Sequence, residues 1–218
     1  MSLFRGGGRL RRRPLVPGKF ARIVELCEGR DVLDCGCVGS EAESQADYEA
    51  TSHALISKHA RYCLGIDIWK EEVEKRQRMG LDILHGSVET MSLGRQFDVI
   101  VAADLIEHLA NPGAFLDRAA EHLRDGGRLC LVTPNAWSLN NTVKYWLGRE
   151  PGVNPEHTCW YDFVTLEQLL ARHGFRPVEE YWQDYRAKPL VSIVVGWRPN
   201  LAAHLILIAE KGGANPRS

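Results

Sequence analysis

The sequence predicts an α/β protein, one doubly wound domain whose mostly parallel, seven-stranded sheet is flanked by helices. Three observations carry that expectation. Short apolar runs recur at Asp31–Cys35, Tyr62–Ile68, Phe97–Ala103 and Arg128–Thr133, and a strand covered on both faces reads this way. Stretches with apolar residues at helical spacing separate these runs, which implies parallel crossovers. The chain has 218 residues, 44% of them hydrophobic and 25% charged, enough for one domain with a sizeable core.

The elements follow in order. Seven basic residues stand ahead of Glu25 (Arg5, Arg9, Arg11, Arg12, Arg13, Lys19, Arg22) with no acid among them, and Gly6–Gly8 and Pro14 disfavour regular structure. The expected division is a flexible basic arm over 1–16 and a folded domain over 17–218. No aromatic residues interleave with the arginines to stack on bases, so a solvated tail is favoured over a nucleic-acid contact. Helical spacing at Phe20, Ile23, Val24 and Cys27 precedes the first strand, Asp31–Cys35, which breaks into a tight turn at Gly36 and Gly39.

An acidic stretch over 41–49 and a helical pattern through Leu55, Ile56 and His59 lead to the second strand, Tyr62–Ile68. The charged run Lys70–Arg78 predicts an exposed helix face closed by Gly80. Leu81–His85 and Phe97–Ala103 are the third and fourth strands. Asn111 and Pro112 read as an N-cap and first helical residue; Phe115, Leu116, Ala119 and Leu123 face inward, and Gly126–Gly127 end the helix. Arg128–Thr133 is stopped by Pro134. Thr165 to Gln168 has capping-box spacing, with Val164 and Leu169 as a staple, and that helix closes at Gly174. Phe175–Tyr185 and Ala203–Ala209 complete the sheet.

Composition excludes several classes. A net charge of −1 gives no overall bias toward nucleic acid or acidic lipid. No apolar run approaches the roughly 20 residues that span a bilayer. The N-terminus lacks a signal-peptide pattern, so a cytoplasmic location is expected. The six cysteines fall mostly in buried strands and lack zinc-knuckle spacing, so neither a metal nor a disulfide framework is expected.

In an open α/β sheet, ligands bind beyond the carboxyl ends of the strands, and here acids occupy those ends. Asp34 and Asp67 lie at the ends of the first two strands and Asp104 at the end of the fourth. A dinucleotide needs Gly-x-Gly-x-x-Gly against a helix N-terminus, and Gly36-Cys-Val-Gly39 lacks it. Asp34 would also repel a pyrophosphate, and Asp67 comes well beyond the roughly 20 residues that separate fingerprint and acid in such sites. A cofactor with an ammonium and a sulfonium but no phosphate removes the conflict, and S-adenosylmethionine has that chemistry.

Val32–Ser40, Gly65–Asp67, Gly86–Glu89 and Phe97–Leu109 together resemble the ordered motifs of class I S-adenosylmethionine-dependent methyltransferases, whose domain is Rossmann-like. Arg128–Asn135 and His157–Phe175 resemble the later part of a small-molecule branch that includes ubiquinone-biosynthesis O-methyltransferases. The resemblance implies that Asp34 and Gly36, with Val38, line the methionine end of the cofactor. It places Asp67 on both ribose hydroxyls with Ile68 beside it, Ser87, Val88 and Glu89 at the adenine edge, and Asp104 with Leu105 near the methionine amino group. The family usually has glycine where this chain has Val38 and Ser40, and an acid where it has Ser87.

The resemblance implies methyl transfer to a hydroxyl or similar nucleophile on a small acceptor. His157, before the capped helix, is the candidate acid–base residue. Glu107 and His108 either pack or act, and His108 is carried as the second catalytic candidate. His53 is expected to be structural. Trp137, Trp146, Trp160 and Tyr161 are candidates for an acceptor lid. Alternatives are a cofactor-binding protein without catalysis, motivated by Val38, Ser40 and Ser87, a nucleic-acid methyltransferase using the arginine arm, and a nicotinamide-dependent oxidoreductase. Neither the acceptor nor the oligomeric state is legible at this level.

Overall fold

The computed structural model describes residues 11–16, 18, 20–39, 51–184 and 189–212. Its strands are β1 (Leu15–Val16), β2 (Asp31–Cys35), β3 (Tyr62–Asp67), β4 (Ile83–His85), β5 (Phe97–Ala103), β6 (Leu123–Pro134), β7 (Phe175–Gln183) and β8 (His204–Lys211). Its α-helices are α1 (Ala21–Cys27), α2 (Ser52–His59), α3 (Lys70–Arg78), α4 (Pro112–His122), α5 (Leu139–Trp146), α6 (Phe163–Arg172) and α7 (Pro189–Trp197).

The strands form one sheet in the order β1-β7-β8-β6-β5-β2-β3-β4. β8 runs antiparallel to both neighbours and every other pairing is parallel. The order reverses at β2, which lies between β3 and β5. A crevice forms outside the carboxyl ends at such a switch.

The central strands are apolar because both their faces are covered. Leu33, Ile100 and Leu129 join a core with Phe115 and Leu116 of α4 and Leu166 and Leu170 of α6. Val32, Val99 and Cys130, one residue away on each strand, pack with Ile23 and Leu26 of α1 and Ile56 of α2. The two-residue alternation of a strand thus feeds two cores. Burying each large aliphatic side chain contributes roughly 1.5–3 kcal/mol.

Among the described residues the expected seven strands are eight. The additional strand, Leu15–Val16, pairs with Trp182–Gln183 of β7 inside the stretch expected to be a free arm. Arg13 ties it down: Nε donates to Glu180 at 2.6 Å, Nη2 donates to Glu167 at 3.0 Å, and the guanidinium lies 4.0 Å over the Phe163 ring. Residues 1–10 of the expected arm and the acidic stretch 41–49 lie outside the described residues.

Other boundaries move for local reasons. α4 ends at His122, before the glycines, because Leu123 already pairs with Phe97; the ladder then skips to Arg128 opposite Val99. α6 starts at Phe163 under an Asp162 cap rather than near Thr165. α3 is not an exposed face throughout, since Glu72, Val73 and Arg76 are buried. No helix among the described residues is long and apolar enough to cross a membrane.

Candidate active site

A cleft of about 250 Å³ opens at the carboxyl ends of β2, β3 and β4. Gly36, Asp67, Ile68, Ser87, Val88, Glu89, Leu105 and His108 are among the residues that line it. Asp34, Val38, Asp104 and His157 are not among the residues lining it.

Gly36 is required where it stands. Its φ is +71°, and a Cβ there would lie 3.0 Å from Leu105 Cδ1. The left-handed backbone would strain any side chain there, and Leu105 would have to give way to it. Asp67 ends β3 with its carboxylate held by two backbone amides: Oδ2 accepts from Val38 N and Oδ1 from Trp69 N, each at 3.0 Å. An ionised carboxylate offers about four lone-pair positions, so capacity remains for two hydroxyl donors. Ile68 beside it is 70% exposed among the described residues.

The wall opposite is folded back onto this acid. Gly86 N donates to Asp67 O at 2.9 Å and Glu89 N to Ser87 Oγ at 3.2 Å. Glu89 Oε1 accepts from Asn111 N, which ties the wall to the start of α4. Asn111 in turn caps α4 through its side chain on Ala114 N.

Asp34 faces inward. It is buried, and its Oδ2 lies 2.9 Å from Nδ1 of the buried His53. The structural expectation for His53 therefore has a concrete partner. Val38 points its side chain into a small core with Cys37, Val73 and Ile83, and reaches the cleft only through its N–H on Asp67. Asp104 has a φ of +51°, a conformation that aspartate tolerates better than most residues. The chain turns there out of β5 into a short 3₁₀ helix, Ile106–His108, and carries Leu105 across to Gly36.

That 3₁₀ helix carries a second cluster. Glu107 is buried, and its Oε2 accepts from Thr133 Oγ1 at 2.9 Å. Burial, reinforced by the charge of Asp104, pushes its carboxyl up to about 7. Its carbonyl accepts from Thr158 N at 2.8 Å, which clips the loop carrying His157 onto the 3₁₀ helix. The His108 and His157 rings meet edge to face with centroids 4.5 Å apart. Burial first, and then His108, hold His157 below the ordinary imidazole value. Ligand atoms of Glu107, His108 and His157 lie within 4.8 Å of one another, near enough to hold a metal ion between them.

An apolar cavity of about 330 Å³ lies between Trp137, Trp160 and the α5 residues Thr142, Tyr145 and Trp146. Three of the four aromatics expected as a lid are there. The fourth, Tyr161, is buried instead, its backbone bridged to Asn135. Sequence reasoning missed α5 and with it Tyr145; the available signal was Ser138, whose Oγ accepts from Asn141 N as a cap. All six cysteines are free.

A methyltransferase-domain family model matches residues 10–180. A Mycolicibacterium smegmatis protein named "Probable S-adenosylmethionine-dependent methyltransferase" is 30% identical over 159 residues, 72% of this chain and 56% of that one. A ubiquinone biosynthesis O-methyltransferase of Nitrobacter winogradskyi is 34% identical over 172 residues, 70% of this chain and 58% of that one. The chain thus spans little more than half the length of these relatives. A crystal structure of a SAM-dependent methyltransferase from Archaeoglobus fulgidus superposes with a TM-score of 0.63 at 16% identity, covering 88% of this chain and 91% of that one. Magnesium protoporphyrin IX methyltransferase from Synechocystis, with bound SAH, gives 0.60 at 17% identity, covering 88% and 78%. Those two likenesses establish the doubly wound, Rossmann-like methyltransferase fold.

Proposed function

Because this chain belongs to the methyltransferase-domain family, we propose that it binds S-adenosylmethionine in the cleft and transfers the methyl group to a hydroxyl or similar nucleophile on a small acceptor. One observation carries the reading: Gly36, Asp67 and Ser87–Glu89, far apart in sequence, line one cleft where the strand order reverses. The donor, when bound, supplies a methyl carbon made electrophilic by the adjoining sulfonium.

The residues present fit that group. Asp67 has acceptor capacity left for two ribose hydroxyls, Gly36 leaves the space a Cβ would fill, and Ile68 and Val88 offer apolar surface to a base. Asp34 acts from behind, paired with His53, and keeps negative charge beneath the turn that would face the cationic end of the donor. The chain's remaining work is alignment, which can supply a large share of the acceleration for a displacement of this kind.

The aromatic cavity seats the apolar part of the acceptor, with its nucleophile toward His157. A depressed pKa keeps His157 neutral near pH 7, so its imidazole can take the acceptor's proton. Glu107, poised near 7, lies close enough to help stabilise the cation that results. The small-molecule branch is supported by the ubiquinone biosynthesis O-methyltransferase relatives.

Isothermal titration with S-adenosylmethionine tests the cleft. Asp67→Ala is expected to weaken binding at least about tenfold, since two charge-assisted hydrogen bonds are lost. Unchanged affinity would sink the placement. An acceptor panel assayed with and without EDTA tests the cluster: turnover indifferent to the chelator supports a histidine base, and loss restored by a divalent cation moves the role to a metal. Binding without turnover on any acceptor would favour a cofactor-binding protein that lacks catalysis.

A further inference from the structure

The turn after β2 carries Val38 where the family usually has glycine, and Arg76 of α3 constrains the backbone there. This side chain is fully buried in a stretch whose sequence reads as a water-facing run. Nη1 donates to Cys37 O at 3.2 Å and Nη2 to Val38 O at 2.9 Å, so one planar fork grips two successive carbonyls of the turn. Glu72, one helical turn earlier, places Oε2 3.9 Å from Nε. The Cys37–Val38 peptide group is consequently held at both ends. Arg76 Nη1 donates to its carbonyl, Cys37 O, and Asp67 Oδ2 accepts from its N–H, Val38 N, at 3.0 Å.

Keeping a guanidinium out of water is costly, and an apolar side chain of similar length would fill the same volume at less expense. What such a side chain lacks is the geometry of the fork. Beneath the turn there is little room for adjustment: Cys37 Sγ would lie 2.6 Å from any Cβ placed on Gly65 of β3. The turn is thus closely packed on β3 beside the Val38 peptide, whose N–H joins it to the Asp67 carboxylate.

We propose that Arg76 is a positioning residue of the donor site, acting through the Val38 peptide to set the Asp67 carboxylate. The inference rests on the placement of Asp67 at the donor's ribose, and a double-mutant cycle separates the two. In Arg76→Met the Kd for S-adenosylmethionine is expected to rise roughly 10- to 100-fold, with kcat at saturating donor held within about threefold. In an Asp67→Asn background the same substitution is expected to add less than about twofold, because the end of the relay is already gone. Arg76→Lys, a point charge reaching one carbonyl, should restore part of the affinity. Amide exchange should quicken at Val38 while the β2 and β3 amides stay protected.

Additive effects in the cycle, or an unchanged Kd in Arg76→Met, overturn the proposal. An unchanged Kd in Asp67→Asn alone overturns the ribose placement instead. Should Arg76→Met fail to fold, Arg76→Lys takes its place in the cycle: coupling to Asp67→Asn supports the relay, and additivity or an unchanged Kd overturns it.

Discussion

Glu107 holds its proton in the folded molecule over a range where the unfolded chain has released it. Its carboxyl stands at about 7 when folded, against an ordinary value of 4.5. Between those values the native state binds more protons than the unfolded state, so stability falls as pH rises through the window. The full penalty above pH 7 is about 3 kcal/mol. Glu107→Gln keeps an acceptor for Thr133 and removes the titration. Its melting temperature should exceed that of the parent at pH 8 and match it near pH 4.5; a difference independent of pH would contradict this linkage. His157→Ala should lower kcat roughly 10²- to 10⁴-fold while leaving the titrated donor affinity in place. If His157 is the base, the parent's activity also rises with pH, with a midpoint below the ordinary imidazole value. At this scale the sequence revealed Gly36 and Asp67, because a turn glycine and a strand-end acid are local signals. It could not reveal that Asp34 faces inward. That depends on His53, a partner from another element.

Helix and strand ends show how competing local signals resolve. Two cap patterns overlap ahead of Leu166, Thr165 to Gln168 and Asp162 to Thr165. The earlier one forms: Asp162 Oδ1 accepts from Thr165 N at 2.8 Å, and Thr165 Oγ1 accepts from Asp162 N at 3.2 Å. Starting three residues sooner brings Phe163 into the core, where its ring lies 4.7 Å from that of Trp182. Tertiary burial therefore decides between two acceptable caps. Asp162→Ala should cost about 1 kcal/mol, read as a shifted denaturation midpoint; no shift would mean that Phe163 alone fixes the helix start. β1 was invisible for a different reason. Two residues have no periodicity, and the salt links of Arg13 to Glu167 and Glu180 join positions more than 150 residues apart.

For the whole molecule, alternation of strands and helices was enough to give the sheet class and the crevice, since parallel strands leave few alternatives. The position of β8 was not readable, because nothing local distinguishes an antiparallel insertion from one more parallel strand. Its placement has energetic weight. Leu205–Ala209 are buried throughout, and β7 reaches the rest of the sheet only across β8. Ending the chain at Ala203 should therefore abolish the cooperative melting transition seen by circular dichroism; a truncated protein that still melts sharply would show the remaining strands to be self-sufficient.

β8 is the last strand in sequence, yet it sits inside the sheet. During synthesis, the β1–β7 pair cannot join the rest of the sheet until β8 has left the ribosome. Until then the nascent polypeptide carries an open, apolar seam along β6, and that seam is where a holdase would be expected to bind.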